Sequence, residues 1–146
     1  PNKHNGLTFC AGSFSAGEHN DCVAMAKQFA DRTHFVHLRS CYIFPDGNFT
    51  EASHLGGRGH LIELCRIFEK AEQEGKCNSG RRLPMRVDHG MTFTDEPGGV
   101  FDESNHGHNA GYTLLGRMFA MGQIQGVIAT VDDELGIEYK QPGFYD

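Results

Sequence analysis

Long apolar runs are missing from this chain. None approaches the roughly 20 consecutive residues that a bilayer-spanning helix requires, which points away from a membrane partner. Positive charge is not in excess either: 13 Lys and Arg stand against 19 Asp and Glu, and a formal charge of -6 offers no basic stripe to neutralise the phosphates of a nucleic acid. The five cysteines, Cys10, Cys22, Cys41, Cys65 and Cys77, are odd in number and form no CxxC pair, so no disulfide framework is expected and a reducing cytoplasm is. The sequence opens on Pro1 with no initiator Met and no signal-like apolar stretch, and it reads as a fragment or a processed piece of a longer protein. Internal repeats and low-complexity tracts are absent as well.

What the sequence does hold is enough apolar material for a core, 38% hydrophobic residues with 11 Phe, and an excess of histidine, nine in 146 residues. Leu7–Cys10 reads as a buried strand that stops at a loop of small residues, Ala11, Gly12 and Ser13. Beyond the capping-type pair Asn20-Asp21, apolar residues at three and four spacings predict a helix ending near Asp31. Thr33–Arg39 forms a second strand, and Ser40–Gly59, with Pro45, Asp46-Gly47 and Gly56-Gly57, reads as a long polar loop. A helical stripe over Leu61, Leu64, Cys65 and Phe68 follows, then a third strand from Leu83 to about Asp88. A second loop runs to Asn109, and the apolar stretch from Tyr112 to Ala129 is expected to be helical.

Alternation of strand and helix argues for parallel βαβ units, whose right-handed crossovers bring the C-terminal ends of all strands to one rim. Each predicted strand ends in a potential ligand: Cys10, His37 and Asp88. A thiolate, an imidazole and a carboxylate together suit a divalent transition ion and exclude an all-oxygen calcium or magnesium cage. Singly, each has a blander reading: a small core thiol, a backbone-bonded core histidine, a turn-capping carboxylate. The metal reading rests on their shared place on three consecutive strands.

Five blocks, Leu7–Ser13 (LTFCAGS), Thr33–Arg39 (THFVHLR), Phe49–Leu55 (FTEASHL), Met85–Gly90 (MRVDHG) and Gly111–Arg117 (GYTLLGR), resemble in order the motifs of mannonate dehydratase. The resemblance covers nearly the whole chain. It implies an α/β fold, the C-terminal portion of a TIM-type (β/α)8 barrel of which this chain supplies about three βα units and is incomplete on its own, its upstream part lying before Pro1. It also implies a hydro-lyase that converts D-mannonate to 2-keto-3-deoxy-D-gluconate in hexuronate catabolism, with manganese, or iron, cobalt or another divalent ion, as cofactor.

By the same resemblance Cys10, His37 and Asp88 are similar to three of the family's four protein ligands, the fourth being a histidine expected upstream. Asp88 and Tyr112 are similar to its acid–base residues. Arg39 lies on the same side of an extended strand as His37, where it could grip a substrate carboxylate or form a structural ion pair. His54 and His89 are candidates for substrate contact or for support behind the ligands. Tyr112 could equally be a core tyrosine.

The sequence departs from the family at Val87 and Ala110, where prolines are usual, and in the loop carrying His106 and His108. Beside the dehydratase reading stand a related metal-dependent sugar isomerase and a non-catalytic metal-binding piece. Expected partners are the sugar acid, the upstream part of the same barrel and, for the full-length enzyme, further copies of itself. The chain alone is expected to be inactive.

Overall fold

The computed structural model describes residues 2–93 and 111–138. Three strands, β1 (Leu7–Cys10), β2 (Thr33–His37) and β5 (Met85–Arg86), form a parallel sheet in the order β1-β2-β5. The central strand carries the sheet. Its residues Thr33 and Val36 are fully buried, as is Leu38 just beyond its end, as expected for a strand covered on both faces.

Helices α1 (Ala11–Ser15), α2 (Cys22–Phe29), α3 (Leu61–Gln73) and α4 (Leu114–Leu135) follow the strands or flank them. Helix α2 starts where Asp21 accepts hydrogen bonds from the backbone N–H groups of Val23 and Ala24, at 3.0 and 2.9 Å. It gives way to a 3-10 turn over Ala30–Arg32, close to the predicted end. Helix α3 buries Leu61, Leu64, Cys65, Phe68 and Ala71, the face its stripe foretells. Phe9 and Phe68 meet edge to face with centroids 5.2 Å apart, so the core joins strand to helix. Burying a side chain of that size contributes about 1.5–3 kcal/mol.

Four local readings change. Ala11–Ser15, expected as loop, is a single helical turn beginning at Cys10. The second strand ends at His37, not Arg39, and the third shrinks to Met85–Arg86. The supposed loop Ser40–Gly59 contains an antiparallel hairpin, β3 (Cys41–Ile43) and β4 (Phe49–Glu51), whose turn is closed by Phe44 N–H donating to Asn48 O at 2.7 Å. Strands of three residues hold too few positions for an alternating pattern to register. The loop bearing His106 and His108 lies outside the described residues.

Helix α4 is also longer than expected and ends at Gly136, whose φ of 67° suits a glycine cap. Its 22 residues are, by length and composition, apolar enough to cross a bilayer, which the interspersed glycines and Arg117 hide in a search for unbroken apolar runs. In this fold one side of it packs, burying Gly116, Ala120, Ile124, Val131 and Asp132, while Leu114, Leu115, Met118, Phe119 and Met121 stay exposed. A helix apolar all round is made to be covered on more than one side.

Candidate metal centre and active site

Parallel pairing sets Cys10 beside His37 and His37 beside Arg86, so the C-terminal ends of all three strands share one rim. Asp88 stands two residues past β5 with φ of 59°, a left-handed conformation that an aspartate tolerates better than most residues and that is concentrated at functional sites. One ligating atom from each of Cys10, His37 and Asp88 lies within 4.8 Å of the others. Asp88 Oδ2 is 3.5 Å from His37 Nδ1 and 3.9 Å from Cys10 Sγ. Atoms sharing an ion through bonds of about 2.0–2.3 Å have separations of this order.

One further observation fits a cation here. Burial holds the His37 imidazole below the ordinary histidine value, with Asp88 opposing, and a neutral ring is the form that ligates metals. Cys10 Sγ accepts from Ser13 N at 3.4 Å and Ser13 Oγ at 3.2 Å, so α1 fixes the sulfur at the rim.

Asp88 Oδ1 looks the other way. It accepts from Arg86 Nη2 at 2.7 Å and from the Tyr112 hydroxyl at 3.4 Å, which brings the phenol to the edge of the donor cluster. Tyr112 is held by the His89 ring, centroids 4.3 Å apart, and by the Arg117 guanidinium 5.7 Å above its face. Its place depends on glycine. Gly90 N–H donates to Gly111 O at 2.8 Å, Gly111 has φ of 88°, and a Cβ on Gly90 or Gly116 would run into the other segment's backbone.

Three candidates remain. Of the two places open to Arg39, a substrate carboxylate grip or a structural ion pair, the structure shows the ion pair: Glu51 clamps it through two hydrogen bonds, one of 2.9 Å from Nε, with both side chains largely buried. His54 is 2% exposed and its Nε2 lies 3.0 Å from the Val87 carbonyl, one residue before Asp88. Burial keeps its imidazole below the ordinary value, and its backbone N–H donates to Gln123 Oε1 of α4 at 3.2 Å. His89 does face the cluster: Nε2 is 3.9 Å from Asp88 Oδ2, while Nδ1 is 3.0 Å from Glu51 Oε1.

Glu51 and Arg86 were not anticipated as site residues. Arg86 had a readable signal, since a strand alternates and residue 88 shares its side. Glu51 had only its presence in the FTEASHL block; the hairpin that delivers it is a tertiary fact.

The family model described as D-mannonate dehydratase (UxuA) matches residues 1–137. This chain belongs to that family. Mannonate dehydratase 2 of Agrobacterium fabrum is 39% identical over 134 residues, which is 90% of this chain and 32% of the relative. The mannonate dehydratase of Saccharophagus degradans is 38% identical over a stretch of the same length and coverage. The chain thus spans about a third of the length of the curated relatives it matches. Among solved structures, mannonate dehydratase from Streptococcus suis serotype 2 superposes with a TM-score of 0.70 at 20% identity, over 99% of this chain and 39% of that one, a likeness of fold.

Proposed function

We propose that the protein carrying this chain is a metal-dependent hydro-lyase that dehydrates D-mannonate to 2-keto-3-deoxy-D-gluconate in the cytoplasm, and that the chain supplies about three βα units of its TIM-type barrel. The observation that carries this reading is the convergence of Cys10, His37 and Asp88, with the Tyr112 hydroxyl on the second oxygen of Asp88. Family membership supports the substrate. An open groove of about 480 Å³ between Arg82–Asp88 and the α4 residues Arg117, Met121, Ile124 and Ile128 supports the barrel, since it leaves room for a further strand beside β5.

Cys10, His37 and Asp88 would hold the ion, manganese first, with iron or cobalt as alternatives, and it would supply positive charge to substrate oxygens as the proton α to the carboxylate becomes acidic. The chain's own groups do the proton work. The C2–H bond breaks with its electrons forming the C2–C3 double bond, the C3–OH bond breaks, and that hydroxide leaves as water after taking a proton; the enol then becomes the ketone. A base and an acid are needed, and Asp88 with Tyr112 offers both. His89 contributes a third polar group on the same side. Arg39 and His54 serve from behind, through Glu51 and the Val87 carbonyl.

Three preparations test this under one set of conditions with manganese and D-mannonate: this chain alone, this chain mixed with the rest of the barrel, and the full-length protein. Formation of a 2-keto-3-deoxy acid is expected from the last, in part from the second and not from the first, because misplacing a reacting group by about 1 Å already costs on the order of a hundredfold. Isomerisation of an aldose without dehydration of mannonate by the full-length protein would replace this reading with the isomerase one.

A further inference from the structure

We propose that Glu51 is a positioning residue of this site, a carboxylate that fixes which nitrogen of His89 faces the reacting groups. Three observations meet on it. Its Oε1 lies 3.0 Å from His89 Nδ1, and both of its oxygens are engaged by the Arg39 guanidinium. Its side chain is 10% exposed, so the charge is largely withdrawn from water and dependent on these partners. The hairpin that carries it is joined to the sheet just past β2, where Ser40 O accepts from Ala52 N at 2.9 Å and Ser40 Oγ donates to Gly56 O at 2.8 Å.

The consequence is geometric. An imidazole whose Nδ1–H is committed to a carboxylate must conduct any other proton exchange through Nε2. In His89 that atom is the one 3.9 Å from Asp88 Oδ2, on the side of the donor cluster. Ring rotation is also restricted, because the same imidazole lies against the Tyr112 ring and the Cβ of His89 abuts Gly111. Glu51 therefore sets the tautomer and, through the His89–Tyr112 contact, the place of the phenol. Arg39 holds Glu51 in place through two hydrogen bonds, which explains why the guanidinium is turned to Glu51 and away from a substrate position.

The activity part of the test rests on the dehydratase reading; the spectroscopic part does not. In the full-length protein with zinc, two-bond proton–nitrogen correlations of His89 should show a proton held on Nδ1. In E51Q, whose amide cannot accept from Arg39 and His89 together without turning a donor toward one of them, that state should give way to a mixture. E51D, which keeps the charge one methylene further back, should restore part of it. If E51Q alone fails to fold, R39M/E51Q removes both buried charges together and is read in the same way. An unchanged His89 spectrum in the folded variant overturns the proposal, as does a parent spectrum with the proton on Nε2 alone. In the full-length dehydratase, E51Q should lower kcat roughly 10- to 100-fold with metal content and the KM for mannonate held, and E51D should recover part of the loss. A fall in metal content equal to the fall in kcat would make Glu51 a support of the ion and overturn the assignment to His89. Absence of dehydration by the parent enzyme, with the His89 spectra as expected, would remove the lyase reading and leave the positioning role in place.

Discussion

Replacing Glu69 by Gln should make the protein more stable at alkaline pH and leave it unchanged in acid. Glu69 lies half-buried on α3, facing Asp132 of α4 and Glu72 of its own helix, with Arg82 the compensating cation. Burial first, then Asp132 and Glu72, push its carboxyl from 4.5 up to about 7. Asp132 is raised as well, by burial, and its Oδ1 is buried without a hydrogen-bond partner. An acid with a raised folded pKa takes up a proton on folding, so its favourable contribution is complete below about 4.5 and is lost as pH rises through about 7.

At full desolvation a rise of that size corresponds to about 3.4 kcal/mol, at ~1.36 kcal/mol per tenfold change in proton affinity. Because the side chain is partly open to solvent, screening reduces this to about 1–2 kcal/mol. Gln is neutral at every pH and close to Glu in size, so it removes the buried charge beside Asp132 and Glu72 without opening a cavity. Urea unfolding of parent and variant at pH 4.5 and pH 8.5 should therefore show equal midpoints in acid and a higher midpoint for the variant in alkali. Equal midpoints at both values, or a difference independent of pH, would refute the reasoning.

Three other outcomes are expected. Tyr112→Phe in the full-length protein should keep the ring packing and the metal but, under the proposed acid–base role, lose turnover of mannonate by roughly 100-fold or more; normal turnover by steady-state assay would remove Tyr112 from the proposed mechanism. Cys10→Ser should weaken manganese, cobalt and zinc binding by roughly 10-fold or more, measured by calorimetry, with zinc and cobalt affected more than manganese since sulfur prefers the softer ions. Gly116→Ala should cost about 1–3 kcal/mol by denaturant titration, because a Cβ there meets the Met91 carbonyl, whereas Gly122→Ala, with open space at its Cβ, should be neutral or slightly stabilising.

The order of the three parallel strands and of α2, α3 and α4, the ends of the first two helical stripes and the three donor residues are decided by local pattern. Parallel strands joined by helices bring their C-terminal ends together whatever the loops do, so Cys10, His37 and Asp88 could be placed on one rim from their positions at strand ends alone. Motif blocks spread over the chain point to one family for the same reason, since each block is a short contiguous string.

The surroundings of those donors were decided by tertiary structure. Hairpin strands of three residues leave no periodic trace, so neither Glu51's arrival beside His89 nor Arg39's turn toward it could be read from spacing. The left-handed backbone at Asp88 and the close approach of Gly90 to Gly116 depend on segments distant in sequence. His54 is the clearest case. Its sequence allowed substrate contact, support behind the ligands or a purely structural place, and the structure packs it against the Val87 carbonyl and Gln123 of α4, because a side chain's surroundings are set by what other segments bring within hydrogen-bonding range, and a sequence pattern reaches only along its own element.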